Sequence, residues 1–193
     1  MSLESALDVY PKTVALPGGL NAELRPLAES DEEAFHRFFL EIPAPERLFI
    51  KHHVTDRALI RQWCQQIDYD RNLPLLAWAN GRVAAAATLH QQHGGWKRHI
   101  GRVSVMVHPD FRSRGLARAL ISELIHLAAS AGLEKMEAEF ISRQEGAMKV
   151  FALLGFSVLL RLPDYVKDLQ AVSHDYIVMG LDLLTDEEYA GMG

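Results

Sequence analysis

The chain has 193 residues, 49% of them hydrophobic, and a formal net charge of −5 at pH 7. That length suits one domain with a sizeable core, and the acidic balance argues against a surface built to neutralise nucleic acid. Cys64 is the single cysteine, which excludes an intrachain disulfide, and no apolar run approaches the ~18 residues that a membrane span needs.

The first residues lack a basic segment followed by an apolar run, so no secretory signal is read and a cytoplasmic location is expected. Residues 1–19 read as an N-terminal arm closed by Pro17, Gly18 and Gly19. Residues 20–27 predict a first strand. Ser30 and Glu33 have capping-box spacing and predict a helix to about residue 40. Pro43 and Pro45 break it. Helical pieces are expected at 46–52 and 55–67, the second carrying Cys64 beside Trp63 as a buried small hydrophobe. Residues 73–79 and 82–90 predict a hairpin around Asn80-Gly81, a type I′ signal. Gly94 and Gly95 then allow a turn into a long strand over 98–107. The histidines, among them His52, His53, His90, His93, His99 and His108, show no metal-ligand spacing, so no metal site is predicted.

The most informative stretch is "VSVMVHPDFRSRGLA", residues 103–117. Val103, Val105 and Val107 alternate with Ser104 and Met106, as in a pleated strand. Pro109 cannot donate to a ladder and ends it. Gly115 admits a tight turn or a close ligand. A helix then opens, with unpaired amides and the positive end of its dipole. Arg112, Arg114 and Arg118 add charge beside those amides, within a segment that also holds Lys97, Arg98 and Arg102. Strand, basic glycine turn and helix N-terminus together suit a phosphate or pyrophosphate. A Walker motif and a GxGxxG fingerprint are both absent. On these residues alone, an ordinary βα turn with solvated arginines satisfies the same pattern.

The helix after the turn carries an apolar stripe of Leu116, Leu120, Leu124, Leu127 and Ala131, and Gly132 stops it. A strand is predicted at 134–141 and a second helix at about 145–154, with Ala147, Val150, Phe151 and Leu154 on its buried face. Gly155 and Phe156 lead into a further strand, and residues 161–183 read as a loop with an edge hairpin.

The R-x-x-G-x-A pattern directly after a strand resembles the acyl-CoA pyrophosphate loop of the GNAT N-acetyltransferase superfamily. The predicted order β-αα-β-β-β-α-β-α-β-β is similar to that fold. The resemblance implies a mixed central β-sheet of about seven strands flanked by helices, with one domain at 20–185 and a C-terminal tail at 186–193. It also implies acetyl-CoA as cosubstrate, no metal, and direct transfer of an acetyl group to a primary amine. By resemblance, the strand edge at Val105, Met106 and Val107 pairs with the pantetheine arm. Arg112, Ser113, Arg114, Gly115, Leu116 and Ala117 hold the pyrophosphate, and Arg118 adds a phosphate contact. The backbone amide of Val107 is the expected oxyanion donor.

The second helix is similar to the superfamily frame N-x-x-A-x-x-x-Y-x-x-x-G-F, here Gln144, Ala147, Phe151, Gly155 and Phe156. Gln144 replaces an asparagine that contacts the pantetheine and can make the same bonds. Phe151 replaces the tyrosine that serves as general acid; by resemblance it still lines the cofactor, but phenylalanine has no proton to give. His108 and Tyr165 are the substitutes weighed here. Glu139, five residues before Gln144, resembles the general base of ribosomal-protein N-terminal acetyltransferases, with Glu137 on the same strand face. Both glutamates can equally line the solvent side of an ordinary strand. Residues 164–168, Asp175 and Met179 are similar to the last strands of the superfamily, through which a homodimer is expected by analogy.

The acceptor is expected against residues 39–50, 90–96 and 162–174. A small-molecule amine, an amino acid and a protein or peptide amine all fit, with no nucleic-acid or membrane partner. A non-catalytic acyl-CoA-binding or regulatory module on the same fold is the alternative, favoured by Phe151. A phosphate-binding interaction domain unrelated to CoA is the third reading.

Overall fold

The computed structural model describes residues 3–47, 50 and 52–183. The predicted tail at 186–193 and part of the predicted helix at 46–52 lie outside the described residues. In chain order the elements are α1 (Leu3–Leu7), β1 (Lys12–Leu16), β2 (Leu20–Pro26), α2 (Glu32–Glu41), α3 (Ala44–Arg47), α4 (Arg57–Gln65), β3 (Asn72–Ala79), β4 (Arg82–His90), β5 (Ile100–Val107), α5 (Leu116–Ser130), β6 (Lys135–Ile141), α6 (Glu145–Leu153), β7 (Ser157–Lys167) and β8 (Ser173–Asp182). Short 3₁₀ turns at Pro17–Gly19, Glu29–Asp31 and Pro109–Phe111 complete the order.

The eight strands form one sheet in the order β1-β2-β3-β4-β5-β6-β8-β7. Every neighbouring pair is antiparallel except β5 and β6, which α5 joins as a parallel crossover. The architecture is the expected mixed sheet flanked by helices, with one strand more than the seven predicted. The extra strand is β1, inside the predicted arm. Residues Lys12–Leu16 pair with β2 after the tight Pro17–Gly19 turn. Ala6 packs into the core, and Glu123 on α5 accepts from Tyr10 Oη (2.7 Å) and Lys12 Nζ (2.6 Å).

Two cores sandwich the sheet. On one face α5 buries Leu116, Leu120, Ile121, Leu124, Leu127 and Ala128, the stripe read from the sequence. Each fully buried leucine contributes about 1.5–3 kcal/mol. On the other face α2 and α4 pack Phe35, Phe38, Phe39, Ile60 and Cys64 over Leu76, Val83 and Ala86. Residues Ala84, Ala85, Ala86 and Ala87 of β4 are all buried, and their small side chains let helices approach the sheet from both sides. Cys64 is the buried hydrophobe expected, and burial pushes its thiol up to about 11.

Asn80 (φ 52°) and Gly81 (φ 75°) both sit at positive φ, as the predicted β3–β4 hairpin requires. The predicted Ser30–Glu33 capping box does not form. Asp31 takes over, accepting from the amide of Ala28 at 2.8 Å and from both Arg25 Nη atoms at 2.7 Å. Glu33 instead pairs with Arg37 one helical turn on, at 2.8 Å.

Candidate active site

The site is built around a fork in the sheet. The parallel register between β5 and β6 holds Ile100 to Lys135, Gly101 to Met136 and Arg102 to Glu137, and ends there. Beyond it, residues 103–107 stay paired with β4 while residues 138–141 stay paired with β8. The β6-facing edge of residues 103–107 is therefore left out of any ladder. Such an edge offers main-chain donors and acceptors to an extended, amide-bearing ligand, as when a peptide adds a strand to a sheet.

The fork opens toward the loop at 108–115 and the first turn of α5. Gly115 is the helix N-cap, at φ 84°, a left-handed conformation that glycine adopts at no steric cost. A Cβ built there would lie 3.3 Å from Cδ of Pro17, so the end of β1 braces the turn. The first intrahelical bond runs from the Ala119 amide to the Gly115 carbonyl at 3.0 Å. The amides of Leu116, Ala117 and Arg118 precede it, and no side chain caps them. They point with the positive helix end toward the mouth of the fork.

Each predicted site residue has a definite place. Val105 and Val107 turn their side chains to the α5 core, and Met106 faces the α2–α4 core. Ser113 (φ 59°) and Arg114 are exposed in the loop, and Arg118 is exposed on α5. Leu116 is fully buried, so only its backbone faces the mouth, whereas Ala117 is half-buried. Arg112 is drawn aside. Its Nε donates to the Val107 carbonyl at 3.3 Å and its Nη2 meets Glu46 at 2.5 Å, which ties the loop to α3. Gln144 precedes α6, and its Oε1 accepts from the Ile141 amide at 2.9 Å, closing the end of β6.

Phe151 is 1% exposed, edge-on to Phe140 (5.0 Å between centroids) and Phe156 (4.9 Å). Its ring fills the core where the resemblance placed a cofactor contact. Of the two substitute acids, one is buried and the other exposed. His108 is buried, with Nε2 2.9 Å from Glu41, and Nδ1 accepts from the Asp110 amide at 3.2 Å. Tyr165 stands exposed on β7, its ring 6.0 Å from that of Tyr176.

The face of the sheet opposite α5 carries a polar row that alternation along the strands assembles. Arg102 and Ser104 project from β5, Glu137 and Glu139 from β6, and Tyr176 from β8. At the base of the fork Arg102 Nη1 lies 3.2 Å from Glu139 Oε1, and Lys97 Nζ lies 3.1 Å from Glu137. Burial, then the Glu139 charge and a hydrogen bond to it, push the Tyr176 hydroxyl up to about 12. Tyr176 thus stays protonated and donates to Glu139. The sequence reading placed Arg102 only in a basic segment and Ser104 only in the strand alternation, and it missed Tyr176.

The three expected acceptor segments do not converge. α3 and the tip of the β7–β8 hairpin lie at the open end of the fork, while the 90–96 segment starts at His90, opposite Arg102 at the fork's base, and runs away from the open end. A separate shallow concavity of about 380 Å³, lined by Thr13, Asn21, Glu23, Arg25, Trp78 and Asn80, lies on β1–β3 away from the fork. Its open shape and distance from the polar row give it no part in the site.

Residues 32–156 match the Acetyltransferase (GNAT) family. The L-amino acid N-acyltransferase MnaT of Escherichia coli (strain K12) is 30% identical over 115 residues, which are 51% of this chain and 65% of that protein. The match thus spans just under two thirds of that relative's length. Among solved structures, the GNAT domain of S. lividans PAT superposes with a TM-score of 0.73 at 17% identity, covering 89% of this chain and 96% of that one. The Salmonella typhimurium yncA structure, a putative acetyltransferase solved with its cofactor acetyl-CoA, superposes with a TM-score of 0.71 at 21% identity, covering 84% and 94%.

Proposed function

The chain belongs to the GNAT acetyltransferase family, and from that premise we propose that it moves the acetyl group of acetyl-CoA directly to a primary amine in a ternary complex. The observation that carries this reading is the fork between β5 and β6, which opens onto the uncapped first turn of α5. The edge of Val105 and Val107 takes the pantetheine amides. The amides of Leu116, Ala117 and Arg118, with Ser113, Arg114 and Gly115, take the pyrophosphate. Arg112 fixes the loop by joining Val107 to Glu46, and Gln144 holds the end of β6.

The amine enters from the polar face, where Glu139 accepts the proton of the incoming ammonium. Arg102 and Tyr176 hold that carboxylate in place. An L-amino acid is the favoured acceptor. The similarity to an L-amino acid N-acyltransferase supports it, and Arg102 beside Glu139 offers both charges that a zwitterion needs. The unit comprises residues 20–185 together with β1, which extends its sheet and ties the arm to α5. A homodimer through β7 is part of this reading, supported by the exposure of Val158 (59%), Leu159 (60%) and Leu160 (43%) on the last strand of the sheet; sedimentation tests it.

Thiol release from acetyl-CoA tests the function across L-amino acids, small amines and peptide N-termini. Turnover, with the mass of one acetyl group gained on the acceptor nitrogen, is the expected result. Tight acetyl-CoA binding without turnover on any amine would favour the non-catalytic CoA module instead, the reading that Phe151 supports.

A further inference from the structure

The position of the usual acid holds Phe151, sealed between Phe140 and Phe156, so a proton source for the leaving thiolate has to come from elsewhere. We propose that Asn72, His90 and Ser104 form a proton shuttle for acetyl transfer on the polar face of the fork. The inference rests on the transferase reading above.

Three strands place these groups side by side. Asn72 on β3 and His90 on β4 are directly opposed, and His90 is opposed to Arg102 on β5, two residues from Ser104. The Asn72 Oδ1 lies 2.7 Å from His90 Nδ1. That oxygen only accepts, so Nδ1 carries the hydrogen and Nε2 is left as an acceptor. Nε2 lies 3.4 Å from the Ser104 hydroxyl, a long contact of the kind that tightens when substrate is bound. Ser104 is two residues past the last β5–β6 pair, where the fork begins to open, and its side chain shares the face of Arg102 and Glu139. The charged groups around His90 are Arg102 with Glu139, Lys97 with Glu137, and Arg71 with Asp68 in the turn before β3.

Acetyl transfer forms an N–C bond and breaks a C–S bond. After the ammonium has lost one proton to Glu139, a second must leave the nitrogen of the adduct and one must reach sulfur. In the shuttle, the nitrogen passes its proton to Ser104 Oγ as the seryl proton moves to His90 Nε2. The imidazolium, held through Nδ1–H by Asn72, returns a proton through Ser104 to the departing sulfur. Nothing is oxidised or reduced, the proton held by Glu139 passes to solvent, and Glu139, His90 and Ser104 end as they began.

The test is the pH dependence of kcat for the full chain and for His90→Gln, Ser104→Ala and Ser104→Thr, with acetyl-CoA affinity measured by calorimetry. His90→Gln and Ser104→Ala are expected to lower kcat on the order of a hundredfold. Ser104→Thr, which keeps the hydroxyl, retains most of it. Acetyl-CoA affinity stays within about twofold in all three, since a proton relay adds nothing to ground-state binding. An inflection in the kcat–pH profile of the unmodified chain disappears in His90→Gln. Unchanged kcat and inflection in His90→Gln would overturn the shuttle, as would a loss that tracks weakened acetyl-CoA binding. No thiol release by the unmodified chain on any amine is a separate result that fells the transferase reading and the shuttle with it.

Discussion

Arg102 and Glu139 clasp across the base of the fork, Nη1 to Oε1 at 3.2 Å, a diagonal from the last rung between β5 and β6, Arg102 with Glu137, to the glutamate two residues further on. The contact fixes the glutamate at the point where the strands begin to part, on the face opposite α5. Replacing the carboxylate with an amide keeps its size and removes its basicity. Glu139→Gln is therefore expected to lower kcat by about 10²-fold or more while leaving acetyl-CoA affinity within about twofold. Steady-state kinetics beside calorimetry check this, and unchanged turnover across pH would remove Glu139 from the reaction.

Gly115 meets two constraints at once, a φ of 84° and a Pro17 carbon 3.3 Å from where a Cβ would stand. Gly115→Val is expected to cost about 1–3 kcal/mol of stability and to abolish the thermal shift produced by CoA. Melting curves with and without CoA read both effects. A CoA shift preserved in the variant would separate the loop from the pyrophosphate.

The clamp of the N-terminal strand on α5 gives a pH signature. Burial raises the Glu123 carboxyl, but hydrogen bonds from Lys12 and Tyr10 outweigh it and hold the group below its ordinary 4.5. A carboxylate depressed in the folded state stabilises above its unfolded pKa, and that contribution is lost as pH falls through the folded value. The melting temperature is therefore expected to drop more steeply below about pH 4.5 in the unmodified chain than in Glu123→Gln. Parallel curves for the two proteins would contradict the clamp.

Asp31 is 4% exposed and takes both Arg25 Nη atoms at 2.7 Å as well as the Ala28 amide. Removing it leaves the guanidinium, stacked on Trp78 4.7 Å from the ring, with Glu23, 3.5 Å from Nε, as its remaining ion-pair partner. Asp31→Ala is expected to destabilise by about 2–4 kcal/mol. The Arg25→Ala, Asp31→Ala double variant should lose less than the sum of the singles, because the buried charge then has no stranded partner. Urea unfolding gives the comparison.

Much of this was legible in the chain. The apolar stripe of α5, the alternation of Val103, Val105 and Val107, and the Asn80-Gly81 turn are local patterns, and each element formed where its period placed it. What the sequence hid depended on tertiary neighbours. Lys12–Leu16 reads as an arm until Pro17–Gly19 folds it back on β2. Ser30 and Glu33 have the spacing of a cap, yet Asp31 wins because Arg25 reaches it from β2. Arg112 reads as a loop cation, and its ties to Glu46 and the Val107 carbonyl come from tertiary neighbours. The Asn72–His90–Ser104 row joins residues 18 and 14 positions apart, and only strand register brings them together.

The central claim is that acyl-CoA occupies the fork. Amide hydrogen exchange with and without acetyl-CoA tests it most directly, because an added ligand strand protects the edge it pairs with. Slowed exchange at Val105 and Val107 and through residues 113–118 is the expected result. Protection confined to the concavity beside Trp78, or none at all at saturating acetyl-CoA, would contradict it.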